Sequence, residues 1–190
     1  MGIAPKNAKV EPVGKKAAAK MARVYLGLGS NIGDRGVNLR EALHRLAEQV
    51  AIDALSALYE TSPLGPPDQP PYLNAVCRGT TEAEPRDLLA FVKEVEHVMG
   101  RVPVARWGPR IIDIDILLYD SLILHTSDLT IPHPGIPGRT FVLVPLADIA
   151  ADLVHPTLGE PVSALLQRLL SDPHEVRRVA EPEEWYPCMK

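Results

Sequence analysis

The sequence predicts an α+β fold: a single domain with a ferredoxin-like βαββαβ core, its helices packed on one face of an antiparallel or mixed sheet. Three observations carry this expectation. Leu39, Leu43, Leu46 and Val50, and again Leu88, Val92, Val95 and Met99, recur at helical spacing. Short runs rich in β-branched and aromatic residues lie before, between and after those two stretches. No linker or repeat interrupts residues 22–170, whereas 1–21 and 171–190 lack periodic patterning. The expected organisation is therefore a disordered basic extension (1–21), one domain (22–170) and a loosely ordered tail (171–190).

In chain order, RVYLGL (23–28) reads as the first strand and runs into GSNIGDR, where Asn31 and Asp34 are turn and cap formers ahead of the first helix. Residues 52–60 read as a second strand. TSPLGPPDQPP (61–71) holds five prolines in eleven positions, a stiff extended loop that loses little entropy on holding a ligand. Residues 72–81 form the next strand. Pro85 opens the second helix as an N1 proline and Gly100 closes it. Residues 111–119 are the last core strand. TIPHPGIPGR (130–139) is a second proline-rich loop, followed by a short strand at 141–144 and small helices near 146–151 and 162–170. In this arrangement the first and last core strands are expected to lie centrally, bringing GSNIGDR near residues 111–119.

Composition narrows the function classes. With 190 residues, 46% apolar and 23% charged, the chain can bury a sizeable core, and no apolar run reaches the roughly 18–20 residues of a membrane span. The first twenty residues have no apolar segment of signal-peptide type and no Ser or Thr where N-myristoylation would want one. Cys77 and Cys188 are far apart and lack CxxC or zinc spacing, which points to a reducing, cytoplasmic setting. Net charge is −4 although residues 1–20 carry five Lys and one Glu; the acidic body argues against a general nucleic-acid binder. No membrane partner is expected either, and the chain reads as a monomer.

The most informative stretch is RVPVARWGPRIIDIDILLYD (101–120). On a strand, Asp113 and Asp115 share one face roughly 6.5–7 Å apart. Two close carboxylates on an otherwise apolar strand repel one another and are costly to desolvate. Without nearby His or Cys they suit a hard cation such as Mg²⁺, and the arginines upstream (Arg101, Arg106, Arg110) suit phosphate oxygens. A solvated edge strand with no ligand is the competing reading. GLGSNIGD is one residue too wide for GxGxxG, so its glycines are read as permitting a tight turn and close approach of a substrate. Taken singly, Trp107 reads as a packed anchor or a ligand contact, Asn74 as a turn residue or a reader of an amide-like edge, His133 as exposed or phosphate-binding, and Glu96 as a solvated surface acid.

Together, the segments VYLGLGSNIGDRGVNLREAL, YETSPLGPPDQPPYLNAV, VEHVMGR, RWGPRIIDIDILLYD, LTIPHPGIPGRTFVLVPLADIA and HPTLG resemble, in this order, the 6-hydroxymethyl-7,8-dihydropterin pyrophosphokinases of folate biosynthesis. The resemblance covers about residues 23–170. It implies transfer of an intact pyrophosphoryl group from ATP to the pterin hydroxymethyl oxygen, with release of AMP. It further implies two Mg²⁺ ions on Asp113 and Asp115, and Arg101 and Arg110 as catalytic arginines. The pterin would lie between Trp107 and Phe141, read by Asn74 and Thr61, with Tyr72 and Leu64 lining the pocket. Glu96, Arg110, Ile116, Thr130, His133 and Arg139 would surround the nucleotide. The chain departs from the family pattern at Pro103 and Val104, at Pro134 and at Asp128, where some relatives carry basic or aromatic residues; the nucleotide side is where it differs. A catalytically impaired pterin- or nucleotide-binding module of the same fold is the alternative.

Overall fold

A computed structural model of the chain describes residues 20–63, 68–102, 108–169 and 176–187. Among these, six strands form one antiparallel sheet in the order β5-β1-β4-β3-β8, with β2 also pairing with β4. The elements are β1 (Ala22–Ser30), α1 (Arg35–Leu46), β2 (Ala51–Leu55), β3 (Leu58–Thr61), β4 (Tyr72–Thr81), α2 (Pro85–Val98) and β5 (Asp113–Tyr119). A two-stranded ribbon follows, β6 (Leu124–His125) with β7 (Thr130–Ile131), then α3 (Thr140–Ala150), α4 (Val162–Arg168), β8 (Val176–Ala180) and α5 (Pro182–Trp185).

Alternation along β1 divides the core. Val24, Leu26 and Leu28 point to one face, where Leu39, Leu43 and Leu46 of α1 and Leu88, Val92 and Val95 of α2 cover them. Each fully buried Leu in that layer contributes about 1.5–3 kcal/mol. Tyr25 points to the opposite face, where Val142, Leu143 and Leu146 of α3 and Val162 and Leu165 of α4 pack. The helices therefore lie on both faces of the sheet, not one. The expected starts of the first two helices are present: the Asp34 carboxylate accepts the Val37 N–H at 2.9 Å, and Pro85 is the first residue of α2. α1 ends at Leu46, so Val50 of the expected stripe lies beyond it, though still buried in the core. Gly100, past the end of α2, has φ +88°, a backbone conformation that costs a residue with a Cβ.

Several expectations need correction. β5 is an edge strand beside the central β1, not itself central, although the expected adjacency of β1 and β5 holds. The single strand expected over 52–60 is two strands, β2 and β3, separated at Ser56, whose hydroxyl accepts the Val76 N–H at 2.9 Å. Residues 141–144 are helical, not extended: Val142 and Leu143 both donate to the Arg139 carbonyl. Burial of Val142, Leu143 and Leu146 against the sheet overrides the local β propensity of this run. The stretch expected as a loose tail includes β8, which pairs with β3, and α5, whose Trp185 is 4% exposed and donates to the Ser56 carbonyl at 3.3 Å. Its anchoring groups are long-range partners, such as Asp148 of α3 for Arg178 at 3.2 Å, which no local pattern reveals. Residues 1–19 of the expected extension (1–21) lie outside the described residues.

Candidate active site

The site is built on the sheet face that carries α3. In register, Gly29 of β1 lies opposite Asn74 of β4 on one side and Asp113 of β5 on the other. Gly27 likewise lies between Val76 and Asp115. The two glycines thus form a floor without side chains, flanked by the polar ends of the neighbouring strands. A cavity of about 310 Å³ opens over this floor. Gly27 and Gly29 lie within the strand, so of the two roles expected for them, close approach is the one the geometry favours; the turn is taken by Gly33, at φ +64°.

Asp113 and Asp115 share the cavity face of β5, as alternation requires, while Ile114 and Ile116 enter the core on the other side. Arg110 pairs with one Asp113 oxygen at 2.6 Å and Arg101 with the other at 2.8 Å. Asp115 is the more exposed of the two carboxylates and faces the His133 imidazole, with 3.9 Å between Nε2 and its oxygen. No cluster of three or more His, Cys, Asp or Glu suited to a metal occurs among the described residues. A pair of aspartates with spare lone pairs, opening on a cavity, fits a hard ion that takes its other ligands from phosphate and water.

Arg101 also pairs with Glu96 of α2, and Glu96 receives Lys93 at 2.8 Å and the Ile114 N–H at 2.7 Å. Glu96 is 2% exposed, so it is a buried hub and not the solvated acid that its sequence position suggested. Its side chain acts here through Arg101, and the Ile116 side chain is 4% exposed and packed in the core away from the cavity. Neither side chain lines the cavity. Thr130, in β7, does not line it either, whereas His133 and Arg139 do. The His133 Nδ1 accepts the Gly135 N–H at 3.1 Å, directing Nε2 toward Asp115. Burial holds the His133 pKa below its ordinary value, opposed by the charge of Asp115. Arg139 lies 5.7 Å from the Phe141 ring centroid and against Gly135, where a Cβ would meet the guanidinium at 2.8 Å.

Across the floor, Asn74 donates to the Thr61 hydroxyl at 2.7 Å, and both side chains are buried. Thr61, Tyr72, Asn74 and Phe141 all line the cavity. Burial raises the Tyr72 phenol pKa, partly offset by Arg110. Leu64 and Trp107 fall outside the described residues. Sequence reasoning missed the role of Asn31. It is 1% exposed; its Oδ1 accepts the Arg110 N–H at 2.7 Å, and its Nδ2 donates to the Pro70 carbonyl at 3.3 Å. Asn31 therefore links the arginine segment to the proline-rich loop. A polar residue after a strand resembles any turn former, so no local signal marked it.

Residues 25–151 match the family 7,8-dihydro-6-hydroxymethylpterin-pyrophosphokinase (HPPK). The chain belongs to this family. It is 45% identical over 161 residues to a 2-amino-4-hydroxy-6-hydroxymethyldihydropteridine pyrophosphokinase of Methylorubrum extorquens, covering 84% of this chain and 99% of that one. It is 48% identical over 135 residues to the Dictyostelium discoideum folic acid synthesis protein FOL1, covering 71% of this chain but only 20% of that protein. A crystal structure of wild-type Plasmodium falciparum HPPK-DHPS superposes with TM-score 0.68 at 17% identity, covering 90% of this chain and 47% of that one; at this identity the likeness concerns the fold. The chain thus spans nearly all of the Methylorubrum relative and a minor part of the longer ones. No helix among the described residues is long and apolar enough to cross a membrane.

Proposed function

We infer that this chain transfers pyrophosphate from ATP to the hydroxymethyl group of 6-hydroxymethyl-7,8-dihydropterin, giving AMP and the pterin diphosphate, a step of folate synthesis. Family membership makes it an ATP-dependent diphosphotransferase. The observation that carries the reading to these residues is convergence: Asp113, Asp115 and Arg110 lie across a glycine floor from Thr61, Asn74 and Phe141 in one cavity. The strand order β5-β1-β4-β3 with α1 and α2 on one face supports the ferredoxin-like reading of the βαββαβ core.

In this reading the pterin lies over Gly29, with Asn74 and Thr61 on its polar edge, Phe141 against one ring face and Trp107 against the other. Tyr72 lines that end, and the family resemblance would add Leu64. Asp113 and Asp115 would hold two Mg²⁺ ions, which when bound neutralise the polyphosphate charge. The reaction needs no protein nucleophile; it needs in-line positioning and stabilisation of moving charge. Arg110 and Arg101, which pair with Asp113, would donate hydrogen bonds to the phosphate oxygens and stabilise the negative charge that builds up as the bond to the leaving AMP breaks. His133, which faces Asp115, and Arg139, which lines the same cavity, would serve the nucleotide side, with Glu96 holding Arg101 in place. The family resemblance would add Ile116 and Thr130 to the nucleotide side, although neither side chain lines the cavity. The chain is taken to work as a monomer in the cytoplasm; light scattering of the purified protein tests the first point and fractionation of the source cells the second.

The deciding experiment is incubation with ATP, Mg²⁺ and hydroxymethyl-dihydropterin, followed by separation of nucleotides. AMP formed in step with the pterin diphosphate is the expected result. ADP as product, or pterin binding without turnover, would overturn it.

A further inference from the structure

Arg35 stands at the first position of α1, where a cation opposes the helix dipole. Helix stability therefore does not account for it; its contacts do. One guanidinium nitrogen donates to the Pro71 carbonyl at 2.7 Å, and the other reaches Glu60 at 3.0 Å. The second Glu60 oxygen is taken at 2.6 Å by Arg177 of β8. Pro71 is the last residue of the proline-rich loop before Tyr72, and Glu60 precedes Thr61 in β3. Thr61 and Tyr72 are themselves register partners and both line the cavity. Strand alternation turns Glu60 to the face opposite Thr61, so this chain of charges lies behind the cavity wall. Arg177 lies outside the family-matched segment 25–151.

We propose that Arg35 is a positioning residue for the pterin side of the site, one end of an Arg177–Glu60–Arg35 relay that fixes the Pro71 carbonyl and hence the placement of Tyr72 beside Thr61. The inference rests on the reading of the Thr61–Tyr72–Asn74 side as the pterin subsite. The physical reason is that a proline-rich segment has few N–H groups with which to tie itself to the sheet. Its carbonyls can be held by side chains, and a guanidinium that gives one nitrogen to the carbonyl and the other to a carboxylate behind it does this with fixed geometry. Arg177 holds the Glu60 carboxyl below its usual pKa, aided by Arg35 and opposed by partial burial, so the link is charged at neutral pH.

The test uses the full chain and its Arg35→Ala, Arg35→Lys, Glu60→Gln, Arg177→Ala and Arg35→Ala/Glu60→Gln variants. Each substrate is varied in turn, pterin binding is titrated directly, and thermal unfolding is followed alongside. Arg35→Ala should raise the pterin KM and Kd about five- to tenfold while the ATP KM and kcat stay within about twofold. Arg35→Lys, which keeps one contact, should restore part of the affinity, and Arg177→Ala should give a smaller rise. The double variant should bind pterin about as well as Arg35→Ala alone, because the two residues act as one unit. An unchanged pterin KM in Arg35→Ala, parallel rises in both KM values, or additive losses in the double variant would overturn the proposal. If Arg35→Ala does not fold, Arg35→Lys and Glu60→Gln decide by the same split between pterin and ATP. Wild type that makes no AMP would instead sink the assigned function, which separates the two failures.

Discussion

Replacing Gly29 with alanine tests whether the bare strand floor is what allows Asn74 to read the substrate. The new Cβ would sit 2.9 Å from Asn74 Oδ1 and 3.6 Å from the Tyr72 ring. Ordinary carbon–oxygen contact requires the amide to withdraw by roughly half an ångström. Asn74 is 7% exposed, and its Nδ2 is held by Thr61 at 2.7 Å, so it can retreat only by weakening that bond or turning its oxygen from the pterin. A buried polar group left unpaired costs ~1–3 kcal/mol, which corresponds to a ~5- to 150-fold rise in pterin KM. Stability should change little, because a strand glycine replaced by alanine also narrows the unfolded ensemble, worth ~0.4–1 kcal/mol in the opposite direction. Gly27→Ala is the internal control: its Cβ would meet Leu117 methyls at 3.4 Å, the edge of ordinary contact, and no polar atom. The assay is AMP formation with pterin varied at saturating MgATP, with melting temperature measured for both variants. Equal pterin KM in Gly29→Ala and wild type would refute the argument, as would equal effects of the two alanines.

Asp115→Ala removes the more exposed carboxylate and should lower turnover by about a hundredfold or more even at high Mg²⁺; near wild-type turnover would end the metal assignment. Arg101→Ala and Arg110→Ala should lower kcat more than pterin affinity, because their charge is most useful as phosphate charge redistributes; loss of pterin binding with kcat retained would reverse that role. The buried His155 imidazole accepts the Thr157 and Leu158 N–H groups on Nδ1, has no hydrogen-bond partner for Nε2 among the described residues, and is held by burial below its ordinary pKa of 6.5. The unfolded chain therefore takes up the proton more readily, so stability is complete above that pH and falls as pH drops toward the folded value. His155→Asn keeps an acceptor and should flatten that fall in denaturant titrations between about pH 7 and 5; curves parallel to wild type would show that His155 does not contribute.

Local physics made much of this protein legible in its sequence. The stripes Leu39–Leu43–Leu46 and Leu88–Val92–Val95 marked α1 and α2 because a helix repeats every 3.6 residues wherever it is placed. Strand alternation put Asp113 and Asp115 on one face before any partner was known, and the spacing of Asp34 and Pro85 marked two helix starts. What depended on distant partners was not legible. Glu96 looked like a surface acid and is a buried hub, because its environment is made by Arg101 and the Ile114 backbone. Asn31 looked like a turn former and joins Arg110 to Pro70. Residues 141–144 looked extended and are helical, because the second face of the sheet rewards burying Val142 and Leu143. The segment 176–185 looked like a tail and adds the edge strand β8, whose arginines pair with Glu60 and Asp148, more than twenty residues distant in sequence. Periodicity and capping are properties of neighbours along the chain and can be read from it directly; burial and charge pairing are properties of neighbours in space and arise only once the chain has folded.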